Sequence, residues 1–154
     1  MSRALQLIAD GRLKCPNEHG YVFIHDGARP FIHKEHILAV IGALNSGKYK
    51  AAAVGVPPKD TIKQVDDEGI IVNTPDRSSL ISIQTPQGFK FGLIMKAHLE
   101  ADSKGISVTD DCAVAEAVTN EKIKVIEGDY NSIKITTPED VVIGEKILEN
   151  SIGG

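Results

Sequence analysis

Two short, largely apolar runs, Tyr21-Val22-Phe23-Ile24-His25 and Ala51-Ala52-Ala53-Val54-Gly55-Val56, stand on either side of a helical stripe, and this spacing limits the fold more than any other feature of the chain. Neither run alternates apolar with polar residues, so each reads as a strand buried on both faces, the kind found in parallel sheets. Between them Ile37, Val40, Ile41 and Leu44 recur at helical spacing, with Pro30 ahead of the helix and Gly47 past its end. Strand, helix, strand at this spacing predicts a βαβ unit with a right-handed crossover.

Beyond Val56 the period changes. Thr61-Ile62-Lys63-Gln64-Val65 and Ile70-Ile71-Val72-Asn73-Thr74 flank the acidic turn Asp66-Asp67-Glu68-Gly69, which predicts a protruding β-hairpin within 57–80 with no helix to cover it. A lone hairpin is marginal in water. Its cover is either a second copy of the chain or its own sheet, and the pattern does not choose. Further helices are expected over about Phe91–Ala101, with Phe91, Ile94, Met95 and Leu99 on the inner stripe, and after Thr109 as N-cap, with Asp110 and Asp111 in the first turn. A last helix starts at Thr137-Pro138-Glu139-Asp140. Ile123–Ile126 reads as a strand and Ser132–Ile135 as a short extended piece. Ala4, Leu5, Ile8 and Ala9 follow a helical period, as if a helix were already under way at the first residue.

A chain of 154 residues, 42% hydrophobic and 25% charged, suits one α/β domain. Its formal net charge of −4 argues against nucleic acid or an anionic membrane as partner. No stretch approaches the roughly 20 apolar residues of a membrane span. Cys15 and Cys112 form no CxxC pair, a usage that suits a reducing cytoplasm. His33 and His36 with a cysteine make an incomplete zinc set and read better as surface residues at a helix start.

The strongest local chemical signal is His25-Asp26-Gly27-Ala28-Arg29-Pro30. An aspartate ending a buried strand sits where open α/β sheets bind ligands. Gly27 would let a backbone come close, and Arg29 offers a fork of donors for phosphate. The bland alternative is a turn aspartate with Arg29 as its surface partner. Lys59-Asp60-Thr61-Ile62-Lys63 and Asp76-Arg77-Ser78 add cations and hydroxyls at the base and return of the hairpin. Gln84-Thr85-Pro86-Gln87-Gly88-Phe89 reads as a polar, rigid loop after a strand. Lys134 lies between Ile133 and Ile135 ahead of a helix N-terminus, so alternation in an extended segment turns it toward a cleft or toward water.

The series HDGARPF, PPKDTIK, TPDRSSL, QTPQGF, VTDDCAVAE and NSIKITTPEDV, in this order and spacing, resembles the 2-C-methyl-D-erythritol 4-phosphate cytidylyltransferases of the non-mevalonate isoprenoid pathway, over residues 2 to 149. The resemblance implies a Rossmann-like, glycosyltransferase-A-like nucleotidyltransferase sheet with a hairpin arm at 57–80. It implies a Mg²⁺-dependent homodimer that joins the acceptor's 4-phosphate to the α-phosphorus of CTP and releases pyrophosphate. Matched by motif, Asp26, Gly27 and Arg29 would line the acceptor pocket and its border with the nucleotide, and Lys134 would hold phosphate oxygens and developing charge. Thr85 and Thr109 would add polar contacts, and Thr61 and Arg77 would complete the site of the partner subunit. The metal ligands are not fixed by these motifs.

The resemblance departs from the family's pattern at one end. The glycine-rich, arginine-containing loop and the proline-lysine pair that cradle the triphosphate have no counterpart here. The reading is therefore of a single domain, 1–154, truncated at its N-terminus and carrying mainly the acceptor half of the site. Such a chain would bind CTP poorly, turn over little and expose a sheet edge beside Tyr21–His25. Two rivals stand beside this reading: a ribitol 5-phosphate cytidylyltransferase, which shares the HDxxRPF and NIKITTP-like elements, and a non-catalytic truncated dimerisation module.

Overall fold

The computed structural model describes residues 7, 8, 10–12 and 20–152. Most of the amphipathic pattern expected at Ala4, Leu5, Ile8 and Ala9, and Cys15, lie outside the described residues; Ile8 is helical. Four strands form the main sheet in the order β1-β5-β2-β6: β1 (Tyr21–Ile24), β5 (Ser82–Lys90), β2 (Ala51–Val56) and β6 (Ile123–Glu127). β2 and β6 run parallel, while β5 runs antiparallel to both β1 and β2. The expected α/β class and Rossmann-like sheet are present.

The βαβ expectation needs a correction. β1 and β2 point the same way, but they are not neighbours, because β5 lies between them. β1 is therefore half-buried at one side of the sheet rather than sealed on both faces, and among the described residues it pairs only with β5. β2 is the strand that matches the expectation, buried at every position.

Helix α1 (Lys34–Asn45) covers one face of this sheet and helices α2 (Phe91–Lys104) and α3 (Asp111–Val118) cover the other. The alternation of β2 separates two cores. Ala51 and Ala53 pack with Phe89, Ile94, Met95, Cys112 and Ala115, whereas Ala52 and Val54 pack with Val40 and Leu44 of α1. Small side chains on β2 and β5 let the helices come close. At Gly88 an added Cβ would stand 2.4 Å from Val40 Cγ1 and 3.3 Å from Phe23 Cε1. On α2 the inner stripe differs from expectation by one position. Leu99 is 53% exposed, while His98 is buried, its Nε2 2.8 Å from Asp111 Oδ1. The helical period places 94, 98 and 101 together, and the polar His98 can be buried because it is hydrogen-bonded.

Gln84-Thr85-Pro86-Gln87 is a second correction: it is the buried middle of β5, not a loop. Proline is disfavoured in central strands because it has no N–H to give the ladder. Here Ala53 pairs with Gln87 and Gly55 with Ile83, so Gln84–Pro86 face an irregularity in the ladder opposite Val54. Pro86 falls where the regular pairing is interrupted. The two glutamines are hydrogen-bonded rather than solvated: Gln84 Nε2 donates to the Asp129 carbonyl (2.9 Å), and Gln87 Nε2 donates to Asp110 Oδ2 (2.9 Å).

The helix expected after Thr109 begins at Asp111, and Asp110 is its cap, accepting from Ala113 N at 2.8 Å. An ionised carboxylate outcompetes a threonine hydroxyl at a helix start, where free N–H groups and the dipole favour negative charge. Helix α4 (Pro138–Ile152) starts where expected. Asp140 accepts from Thr136 N (2.9 Å) and Thr137 N (2.8 Å), and these backbone bonds hold its carboxyl below the usual aspartate range. The hairpin is present as β3 (Gln64–Val65) and β4 (Ile71–Asn73), a separate two-stranded ribbon. No helix among the described residues is long and apolar enough to cross a membrane.

Cys112, 5% exposed, has its thiol pushed up to about 12, first by burial and then by Asp110, Glu116 and Asp111. A thiol raised in the folded state contributes stability that is complete below its ordinary value of 9.0 and is lost as the pH rises toward about 12. Iodoacetamide at about pH 8 should therefore leave Cys112 unmodified in the folded chain and label it after denaturation, as read by peptide mass mapping. Equal labelling in both states would contradict the packing of α3 against the sheet.

Candidate active site

β1, β2 and β6 all end on the side of the sheet where β5 begins, so the turn after β1, the first half of β5 and the loop after β6 converge there. Carboxyl ends of parallel strands are where open α/β sheets bind ligands. A cavity of about 250 Å³ opens at this place, lined by Asp26, Arg29, Thr85, Thr109 and Lys134. Five of the eight residues expected from sequence thus come together from separate stretches of chain.

Asp26 organises the cations. One of its oxygens, Oδ2, lies 3.3 Å from Arg29 Nε and 3.4 Å from Lys134 Nζ. Arg29 also donates through Nη1 to the Ser132 carbonyl (2.6 Å), and Ile135 N donates to the Ala28 carbonyl (2.8 Å). These two bonds fasten the 132–135 segment to the turn after β1, which is why Lys134 reaches the cavity without any strand there. Its side chain is half exposed and turned away from Ile133 and Ile135, as alternation predicts. Thr85 Oγ1 accepts from Asp26 N at 3.1 Å and lies 2.8 Å from His25 Nδ1.

Four further polar residues line the same space: Gln84, Gln87, Asp110 and Asp111. The sequence reading assigned the two aspartates only to a helix start and the glutamines to a loop. Both oxygens of Asp110 are engaged, one by Ala113 N and one by Gln87, while Gln87 Oε1 accepts from Cys112 N at 3.1 Å. Asp111 is steadied from α2 by His98. The run of uncharged polar residues in QTPQ, too buried for a loop once it is a strand, was the signal that pointed here.

The remaining expected residues lie elsewhere. Nothing stands within 4 Å of a Cβ added at Gly27, so no close approach in this structure demands a glycine there. Thr61 and Arg77 belong to the hairpin region outside the cavity, and Arg77 Nη1 donates to the Lys59 carbonyl at 2.9 Å. The hairpin's base is tied to the loop after β6: Lys59 Nζ sits 4.3 Å from the centre of the Tyr130 ring, and Tyr130 donates to the Pro57 carbonyl (2.9 Å). The arm itself exposes Ile62, Val65, Ile70, Ile71 and Val72, each more than 40% accessible.

A larger cavity of about 570 Å³, lined by Lys50, Lys90 and Lys96 among others, lies at the opposite end of β5 and holds none of the expected residues. Convergent, mutually oriented polar groups rather than volume single out the smaller one. His33 and His36 pack edge to face at 5.3 Å, and His33 Nε2 is 3.4 Å from Asp129 Oδ2. Among the described residues no group of three His, Cys, Asp or Glu side chains could hold a metal ion.

Residues 7–150 match the family model described as 2-C-methyl-D-erythritol 4-phosphate cytidylyltransferase. The chain is 44% identical over 139 residues to the enzyme of that name from Desulforamulus reducens, covering 90% of this chain and 58% of the relative. It is 54% identical over 127 residues to that from Caldanaerobacter subterraneus subsp. tengcongensis, covering 82% of this chain and 55% of the relative. The crystal structure of 4-diphosphocytidyl-2C-methyl-D-erythritol synthase from Anaerococcus prevotii superposes with a TM-score of 0.84 at 36% identity, covering 97% of this chain and 67% of that one. The reading of an N-terminally truncated domain is corrected by the family match, which runs over nearly the whole chain. The chain spans 55–58% of the length of the two curated relatives named here.

Proposed function

Because the chain belongs to the 2-C-methyl-D-erythritol 4-phosphate cytidylyltransferase family, we propose that it takes part in cytidylyl transfer to methylerythritol 4-phosphate, a cytoplasmic reaction, and that the 250 Å³ cavity receives the acceptor. In this reaction an oxygen of the acceptor phosphate forms a bond to the α-phosphorus of CTP. The bond from that phosphorus to the bridging oxygen breaks, and the electron pair leaves on pyrophosphate. Such transfer depends mainly on positioning and on stabilising charge. Arg29 and Lys134 would hold the acceptor phosphate, and Asp26 would keep both cations in place while giving them a shared counter-charge. The carrying observation is that Asp26, Arg29, Thr85, Thr109 and Lys134, drawn from four separate stretches of sequence, line one space.

The cavity holds three carboxylates, Asp26, Asp110 and Asp111, against two cations, Arg29 and Lys134. That balance is too negative for a phosphorylated ligand, so further positive charge has to arrive. The arm of a second copy, 57–80, would supply it through Arg77, with Thr61 beside it, in a homodimer that also covers the exposed arm isoleucines and valines. Mg²⁺ would accompany the triphosphate. This ion keeps several waters and is commonly bound by substrate phosphates with one or two carboxylates rather than by a protein cage, and the described residues form no such cage.

Isothermal titration of the chain with methylerythritol 4-phosphate should show saturable binding, and CTP with Mg²⁺ should then yield pyrophosphate. Ribitol 5-phosphate in the same assay should be the poorer acceptor. Light scattering should give about twice the mass of 16.5 kDa. Absence of both acceptor binding and turnover would sink the assignment, and a monomer that is fully active would sink the role of the arm.

A further inference from the structure

His25 has no part in the proposed transfer, yet its ring joins two residues that line the acceptor cavity, Arg29 and Thr85. Its Nε2 lies 3.0 Å from the Arg29 carbonyl and its Nδ1 lies 2.8 Å from Thr85 Oγ1. A carbonyl oxygen only accepts, so Nε2 must carry a hydrogen. In the neutral ring Nδ1 is then bare, and the Thr85 hydroxyl must donate to it. Thr85 Oγ1 also accepts from Asp26 N at 3.1 Å. The single hydrogen of Thr85 and one of its lone pairs are thereby committed, and one lone pair is left for the cavity that Thr85 lines.

We propose that His25 is a positioning residue that fixes Thr85 as a hydrogen-bond acceptor toward the ligand, so that the Thr85 end of the cavity reads a hydroxyl of the acceptor polyol and not its phosphate. An ionised phosphate oxygen has no hydrogen to offer and would face the lone pair unfavourably. The phosphate is directed instead to Arg29 and Lys134, across Asp26. The same ring, through the Arg29 carbonyl, also ties the turn that carries Asp26 and Arg29, so one exposed side chain sets both the donor pattern and the turn geometry. This inference rests on the acceptor-site reading given above.

Two substitutions separate the two contacts. In His25→Asn an amide atom stands about where Nδ1 stands, so the Thr85 contact is kept and the Arg29 carbonyl is lost. In His25→Gln the amide end stands about where Nε2 stands, so the reverse holds. His25 is exposed, so both variants should fold with little change in Tm. For transfer to methylerythritol 4-phosphate, KM of the acceptor should rise about tenfold in His25→Gln and less than about threefold in His25→Asn, with kcat changed less than KM in both. His25→Gln combined with Thr85→Val should be no weaker than Thr85→Val alone. Equal KM values for His25→Asn and His25→Gln, or fully additive losses in the double variant, would overturn the proposal.

A second readout needs no catalysis. Long-range proton–nitrogen NMR of the imidazole, with the neutral form identified by titrating the same signals, should show the Nε2–H tautomer for His25. The Nδ1–H tautomer would overturn the proposal even in an active enzyme. If the Nε2–H tautomer is found while the chain binds no acceptor by calorimetry, the orientation of Thr85 stands and it is the functional reading that fails.

Discussion

Lys134→Ala is expected to lower kcat/KM for cytidylyl transfer by roughly 100- to 1,000-fold, the range seen when one preorganised charge-stabilising group is removed. The unfolding midpoint should scarcely move. Lys134 is half exposed, and its ion-pair partner, Asp26 Oδ2 at 3.4 Å, is also engaged by Arg29. An exposed ion pair of this kind contributes little to stability. The expected loss therefore comes from the phosphate that the ammonium would meet, not from the fold. Arginine at this position should rescue poorly, because a planar fork replaces a compact point charge and Arg29 already occupies the neighbouring space. The measurement is steady-state kinetics of pyrophosphate release with the acceptor varied, beside a thermal melt. A loss below about fivefold would remove Lys134 from the phosphate site, and a large drop in Tm would recast it as a structural residue.

Phe89→Ala carries the largest expected effect on stability, about 3–5 kcal/mol by urea denaturation. Phe89 is fully buried in β5, the strand that joins β1 to β2, and packs with Ala51, Ala53, Ile94, Met95, Cys112 and Ala115. Its neighbours on β2 are alanines, too short to move into the space a ring would vacate, so the cavity should persist rather than collapse. Against a total stability of roughly 5–15 kcal/mol such a loss is severe. Leu99→Ala on the exposed side of α2, the helix whose Ile94 and Met95 pack with Phe89, is the control, and it should change stability by less than about 0.5 kcal/mol. Similar losses in the two variants would mean that the inner face of α2 has been assigned to the wrong residues.

Much of the architecture was legible in the chain because it depends on local periodicity. The helix over Lys34–Asn45, the all-buried strand Ala51–Val56, the hairpin and the start of the last helix follow from apolar spacing, turn residues and capping chemistry. Two of the misreadings share one cause. Gln84–Gln87 looked like a loop because its composition is polar, and only the partners supplied by Asp129, Asp110 and the Cys112 N–H make burial of those amides tolerable. Leu99 looked inward for the same reason, since a histidine such as His98 takes the buried position only when something like Asp111 awaits it.

The candidate site divides along the same line. Residue types alone singled out Asp26, Arg29 and Lys134, because phosphate chemistry calls for cations beside strand ends, and the resemblance of the motifs to the family added Thr85 and Thr109. Only the tertiary structure decided that these five share a cavity, that Asp110 and Asp111 join them, and that His25 meets the Thr85 hydroxyl. The physical reason is that a chain's pattern encodes which face of an element avoids water, whereas the meeting of side chains depends on strand order. The insertion of β5 between β1 and β2, through pairings dozens of residues apart, is written in no local stretch of the sequence.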